Sequence, residues 1–202
     1  MKKFLVTTTA LMGLTAGAAM AADEVRIGVL LGFTGPLESL IAQMAPGAEL
    51  AIKEVSDSGK LLGGSTVVSV RGDSTCVDAA AASSAAERLI TSDKVNGIVG
   101  AACSGATTAA LTNVAMPNGM VMISPSATSP ALSKIEDNGL FVRTAPSDAR
   151  QGEVMTEIVM DRGFKEVAVT YTNNDYGKGL ADAFATSFEA AGGTVTINTS
   201  HE

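Results

Sequence analysis

The sequence contains no tryptophan and a single histidine, His201, at its far end. With no other histidine, no Ser-His-Asp or Cys-His catalytic set can assemble within the chain. Aromatic residues make up only 4% of it, so any wall around a ligand depends on aliphatic side chains and a few phenylalanines and tyrosines. Two cysteines and one terminal histidine also fall short of a zinc site. Positive charge is scarce: 14 Lys and Arg stand against 21 Asp and Glu, for a formal charge of −7. Nothing offers a basic stripe with interleaved aromatics, which argues against a nucleic-acid partner. There is no phosphate-loop Gly-Lys-Ser/Thr motif, and the glycines between Gly28 and Gly35 lack the spacing of the dinucleotide fingerprint. The chain reads as a binding protein without a cofactor or metal, not as an enzyme.

Only one apolar run approaches the length of a membrane span, and it lies at the N-terminus. Lys2 and Lys3 precede a mostly apolar or small stretch from Phe4 to Met20, interrupted by threonines and glycines, and Ala19-Met20-Ala21 supplies a small-x-small cleavage pattern. Residues 1–21 are therefore expected to be an export signal. The mature chain is then soluble and, in a Gram-negative cell, periplasmic. Removing the signal removes two lysines and no acids, so the charge becomes more negative. The remaining length, about 180 residues, is enough to bury a sizeable core. Cys76 and Cys103 are the only cysteines. In an oxidising compartment a disulfide is the default expectation, with two buried free thiols as the alternative.

Strand and helix signals alternate along the rest. Val25–Leu31 reads as a buried strand, followed by the loop 32–36. Pro46 suits the first turn of a helix whose apolar stripe is Ala48, Ala51, Ile52 and Val55. Further strands are expected at 66–70, 95–100 and 119–124, and helices at 77–91 and 104–114. A short extended piece at 141–146 leads into Ser147-Asp148, a good helix start. Helix 149–162, strand 166–172, helix 177–191 and strand 194–198 follow, with Leu180, Phe184 and Phe188 along one helix face. Such alternation implies parallel sheets covered by helices. Residues 22–144 form a first α/β lobe, 144–147 cross over, and 145–202 begin a second. Two strands and two helices cannot close a doubly wound lobe, so the chain is expected to be a fragment of a longer protein.

In open parallel sheets ligands bind beyond the carboxyl ends of the strands. Three segments converge there: Cys103-Ser104-Gly105, Ser124-Pro125-Ser126-Ala127-Thr128, and Thr172 to Gly177 with Tyr176. A hydroxyl at the Ser104 junction sits beside free N–H groups and the positive end of a helix dipole, a ready site for a carboxylate or phosphate. On spacing alone Ser104 also reads as a plain helix cap, and Ser126 and Thr128 as parts of a proline-shaped turn. Asp73 and Asp175 lie on loops at the same edge, where an acid–base pair is conceivable but solvated loop acids are commoner.

With those residues in view, the chain resembles the periplasmic leucine/isoleucine/valine-binding protein family of ABC transporters. The resemblance rests on an ordered set: VRIGVLLGFTGPL at 25–37, PGAELAIKEV at 46–55, GAACSGATT at 100–108, MVMISPSATSPAL at 120–132, FVRTAPSD at 141–148 and NNDYGKGLA at 173–181. It implies a type I periplasmic binding fold, with two doubly wound lobes hinged around one small ligand and the second lobe truncated. It also implies a branched-chain or related small amino acid as ligand, an ABC permease of the inner membrane as partner, and a monomer. Ser104 would take the ligand carboxylate, Ser126, Ala127 and Thr128 the α-amino and carboxylate groups, and Tyr176 would face them from the second lobe. Cys76 and Cys103 would form the first-lobe disulfide. Leu40 stands where branched-chain-specific members carry an aromatic cleft residue, and the family's acidic partner for the ammonium would lie beyond Glu202. A sensory ligand-binding domain of the same fold, for amino acids, amides or small organic acids, is the alternative. An exported hydrolase is a third reading, lacking a visible general base.

Overall fold

A computed structural model describes residues 24–202. The expected export signal at 1–21 lies outside them. Five strands form one all-parallel sheet: β1 (Glu24–Leu31), β2 (Thr66–Asp73), β3 (Gly97–Gly100), β4 (Met122–Ser124) and β5 (Phe141–Arg143), in the order β2-β1-β3-β4-β5. Helices α1 (Glu38–Ile41), α2 (Met44–Asp57), α3 (Ala79–Thr91) and α4 (Ser104–Ala110) fill the connections. α5 (Asp148–Asp161), β6 (Glu166–Thr172), α6 (Asp175–Ala190) and β7 (Thr194–His201) follow, and β6 and β7 pair in parallel as a separate sheet.

The interior strand β1 explains the layering. Val29, Leu30 and Leu31 are fully buried although successive side chains point to opposite faces. Leu30 enters a cluster with Ala82, Ala86 and Leu89 of α3 and Ala106 and Ala110 of α4. Val29 and Leu31 enter another with Ile41, Ala45, Cys76 and Ala102. Helices therefore cover both faces, which is why this strand reads as a continuous apolar run rather than an alternating one. In the second sheet, β6 alternates between exposed and half-buried residues, and α6 packs on both strands while α5 packs on α6.

Local chemistry sets the element ends. The Asp78 side chain accepts from the N–H groups of Ala80 and Ala81 at 2.8 and 3.0 Å, capping α3. Ser147 caps α5 through Ala149, and Asn174 caps α6 through Gly177 at 2.8 Å. Several expected boundaries move. β3 begins at Gly97, not Val95, because the Val95 N–H donates to the Leu89 carbonyl and closes the end of α3. β4 begins at Met122 because Met120 N–H turns back to the Ala115 carbonyl. The helix expected over 104–114 is α-helical only to Ala110 and then widens into a π turn, Leu111–Ala115. α2 starts at Met44, so Pro46 does lie in its first turn, but its inward stripe is Ala45, Ala48 and Ile52, and Ala51 and Val55 face outward. β2 extends to Asp73 and β7 to His201. A 3₁₀ turn, Pro130–Lys134, and the short α1 carried no sequence signal read above.

Candidate functional site

The carboxyl ends of β1, β3 and β4 meet the start of α6 around a cleft of about 640 Å³. Its floor is the β3–α4 junction. Cys103 is the N-cap of α4 in extended conformation and its carbonyl accepts the first intrahelical bond, from Thr107 N–H at 2.8 Å. Its side chain offers the helix no cap, because the sulfur is bonded to Cys76 with the two Cα atoms 5.3 Å apart. The first-turn N–H groups of α4 therefore have no partner within the helix and face the cleft end. Ser104, Gly105 and Ala106 line the cleft there.

Of the five residues expected to hold ligand, Ser104, Ser126 and Tyr176 line this cleft. Ser104 is nearly fully buried, and its hydroxyl oxygen accepts the Ser129 N–H at 3.1 Å. The hydroxyl proton remains for an acceptor. Ser126 donates its hydroxyl to the Ala102 carbonyl at 2.8 Å, tying the β4 loop to the β3 junction. Tyr176, in the first turn of α6, stands opposite with its side chain half exposed.

Ala127 and Thr128 are held behind the cleft surface. Ala127 is fully buried; its N–H donates to Ser124 Oγ at 2.9 Å and its carbonyl accepts from Arg143 Nη1 at 3.3 Å. Thr128 donates its hydroxyl to Asp148 Oδ2 at 2.8 Å, and its carbonyl accepts the Asp148 N–H at 2.9 Å. Burial pushes the Asp148 carboxyl above its ordinary value, with the Thr128 hydroxyl and the Arg143 charge opposing it in part. Arg143 also donates to the Ser129 carbonyl at 2.9 Å and to Ser133 Oγ. The loop 124–129 is thus braced from within its own sheet and from the start of α5.

The two acids at this edge sit in different surroundings. Asp73 Oδ1 accepts from Phe33 N–H and Thr75 N–H, both at 2.9 Å, and from Thr34 N–H at 3.3 Å. Its other oxygen takes the Thr34 hydroxyl. Partial burial raises the carboxyl's pKa, but the bonds from Thr34, Thr75 and Phe33 outweigh it and hold Asp73 below the ordinary carboxylate value. Asp73 is a clamp on the turn that presents Cys76. Asp175 instead lines the cleft from α6, and its carboxylate is 3.6 Å from where a side chain on Gly105 would begin.

Sequence reasoning did not single out the apolar side of the cleft, formed by Leu37, Val77 and Ala79. Leu37, not Leu40, supplies the aliphatic contact from the β1–α1 loop; Leu40 is 65% exposed on α1. The only signal for Leu37 was its place just past Gly35-Pro36. Among the described residues, no cluster of His, Cys, Asp and Glu could hold a metal ion.

Comparison with known proteins agrees with this architecture. The family model described as the receptor family ligand binding region matches residues 43–202. The Leu/Ile/Val-binding protein BraC3 of Rhizobium johnstonii is 33% identical over 195 residues, 95% of this chain and 51% of that protein. The branched-chain amino acid transporter substrate binding protein LivJ from Streptococcus pneumoniae, solved in complex with isoleucine, matches with a TM-score of 0.76 at 30% identity, covering 89% of this chain and 50% of that one. The leucine binding protein LivK from Thermotoga maritima matches with a TM-score of 0.75 at 27% identity, covering 87% and 48%. The chain therefore has the type I periplasmic binding fold, and it spans about half the length of the curated relatives it matches.

Proposed function

Because the chain belongs to the receptor family of ligand-binding regions and aligns there with Leu/Ile/Val-binding proteins, we propose that it is the extracytoplasmic solute-binding component of an ABC importer. It holds one branched-chain or related small amino acid between a first lobe, 22–144, and a second lobe opening at 145, and delivers it to an inner-membrane permease from the periplasm. The observation that carries this reading is the cleft floor. There a nearly buried hydroxyl, Ser104, sits on the free N-terminus of α4 beside a covalent staple, with aliphatic Leu37 and Val77 to one side and Tyr176 opposite. The helix end and the Ser104 hydroxyl bind the ligand carboxylate without a cationic side chain. Ser126 lends shape and its free lone pairs. Ala127 and Thr128 act through the loop they brace. The aliphatic side receives the ligand's side chain.

Calorimetric titration of the mature full-length protein with leucine, isoleucine, valine, threonine and alanine tests the proposal. Saturable binding of at least one, weakened tenfold or more by Ser104→Ala, is the expected result. A folded protein that binds none of them refutes it. The matched family's description as a receptor region favours one second reading, a sensory domain of the same fold. Ligand-dependent stimulation of a reconstituted transporter's ATPase decides for the importer, and an output module on the same polypeptide decides for the sensor.

A further inference from the structure

Ser129 is not among the residues that line the cleft, yet it is bonded to the one at the cleft floor. It is 2% exposed, and its N–H donates to the Ser104 hydroxyl oxygen at 3.1 Å. A serine hydroxyl has two lone pairs and one rotatable proton. A donor on one lone pair fixes the rotor and leaves the proton for the cleft, and burial keeps water from competing for that place. Three elements hold Ser129 in turn. From β5, Arg143 donates to its carbonyl at 2.9 Å. From α5, Asp148 Oδ2 accepts the Thr128 hydroxyl at 2.8 Å and Asp148 N–H donates to the Thr128 carbonyl at 2.9 Å. The residue before Ser129 is thus tied by two bonds. From α6, Gly179 lets the helix close on the turn: a β-carbon there would lie 2.8 Å from Ser129 Oγ and 3.0 Å from Pro130 Cδ. The proline ring cannot swing aside, and Ser129 Oγ caps the following 3₁₀ turn through Ala131 N–H at 3.4 Å, a bond lost if it turns away.

Resting on the amino-acid reading above, we propose that Ser129 is a positioning residue: its N–H sets the Ser104 hydroxyl, and α5 and α6 set Ser129. The seat of the second lobe on the first therefore governs the carboxylate grip. Asp148 and Gly179 do not line the cleft, yet both bear on the first-lobe hydroxyl through one shared turn. The end of α4 offers a carboxylate its N–H groups in any case. The relay adds a hydroxyl donor already aimed, which spares the cost of fixing that rotor when ligand arrives. The coupling runs both ways. A carboxylate drawn onto Ser104 favours the same placement of Thr128, Ser129 and Pro130 that α5 and α6 require.

A double-mutant cycle separates this relay from ordinary scaffolding. Leucine, isoleucine, valine, threonine and alanine are titrated calorimetrically into the mature full-length protein and its Gly179→Ala, Asp148→Ala and Asp148→Asn variants. Each is made with Ser104 intact and with Ser104→Ala. Gly179→Ala and Asp148→Ala are expected to weaken the best-bound amino acid about threefold to tenfold with Ser104 present, and less than about twofold with alanine there. Asp148→Asn still offers the Thr128 hydroxyl an acceptor, and is expected to stay within about twofold of wild type. The two levers lie on different helices, so either carries the cycle if the other unfolds the protein. Equal losses with and without Ser104, or no loss in either, overturn the relay, while wild-type binding leaves the solute-binding reading standing. Wild-type binding of none of the five amino acids overturns both.

Discussion

Two glycines in 14-residue helices offer the same substitution with opposite outcomes. Gly152 of α5 is buried against α6, and a β-carbon there would sit 2.7 Å from Ala183 C and Phe184 N and 2.9 Å from Ala183 O. All three atoms are backbone, so no side chain can swing aside. Carbon atoms rest about 3.5–4.0 Å apart, so the helices must separate by roughly 1 Å. Overpacking of this kind costs about 1–3 kcal/mol. Replacing a helical glycine by alanine returns about 0.5–1 kcal/mol of backbone entropy. The net for Gly152→Ala is then a loss of up to about 2.5 kcal/mol, or a Tm lowered by up to roughly 10 °C. Gly47 of α2 has nothing within 4 Å of its virtual β-carbon. There only the entropy gain remains, about 0.5–1 kcal/mol, and Tm should rise by roughly 1–4 °C. Differential scanning calorimetry of both variants beside the wild type gives the answer. If Gly152→Ala raises Tm as Gly47→Ala does, the close α5–α6 approach is not what selects glycine, and the packing argument fails.

Two other perturbations address the stem of the cleft. Replacing both Cys76 and Cys103 by serine opens a loop of sequence separation 27, and the chain-entropy model assigns about 3–4 kcal/mol to its closure. The urea midpoint should fall accordingly, wild type in dithiothreitol should approach the variant, and an unchanged midpoint in both contradicts the staple. Asp73 has a folded pKa below its ordinary value of 3.8, so its contribution to stability is complete above that pH and is lost as pH falls from 3.8 through the lower folded value. Asp73→Asn should cost about 1–2 kcal/mol near neutrality, allowing for its partial exposure. The gap to wild type should close below pH 3.8, and urea titrations from pH 3 to 7 in which it stays constant contradict the clamp.

The strand–helix alternation was readable because each element patterns its own few residues: the apolar run of β1, the Ser147-Asp148 helix start, the spacing of Leu180, Phe184 and Phe188. Ser104 was readable for the same reason, as a hydroxyl at a strand-to-helix junction. The arrangement of 124–129 was not. Ser126 reaches the cleft while Ala127 and Thr128 turn away, because Ser124, Arg143 and Asp148 hold the loop from positions up to 20 residues distant. Nothing local in Ser-Pro-Ser-Ala-Thr specifies that. Asp73 and Asp175 looked alike as loop acids; one takes backbone N–H groups of a neighbouring loop and the other faces the cleft, a difference made only by tertiary placement. The outward turn of Ala51 and Val55 has a similar origin. The stripe that docks is fixed by where α2 begins, and Ile41 and Ala45 continue it where the sequence pattern suggested Ala51 and Val55.

The strand order also governs how this protein acquires its shape in time. β1 is made first but occupies an interior position of the sheet, with Glu24 beside Thr66 on one flank and Ile27 beside Gly97 on the other. No hairpin can nucleate such a sheet, since every neighbour is parallel and reached through an intervening crossover. The long-range closures come before the contacts that reward them, which places the chain among slow folders whose apolar first strand stays uncovered until β3 arrives. For a protein built this way the speed of maturation is set by search rather than by the strength of any one contact.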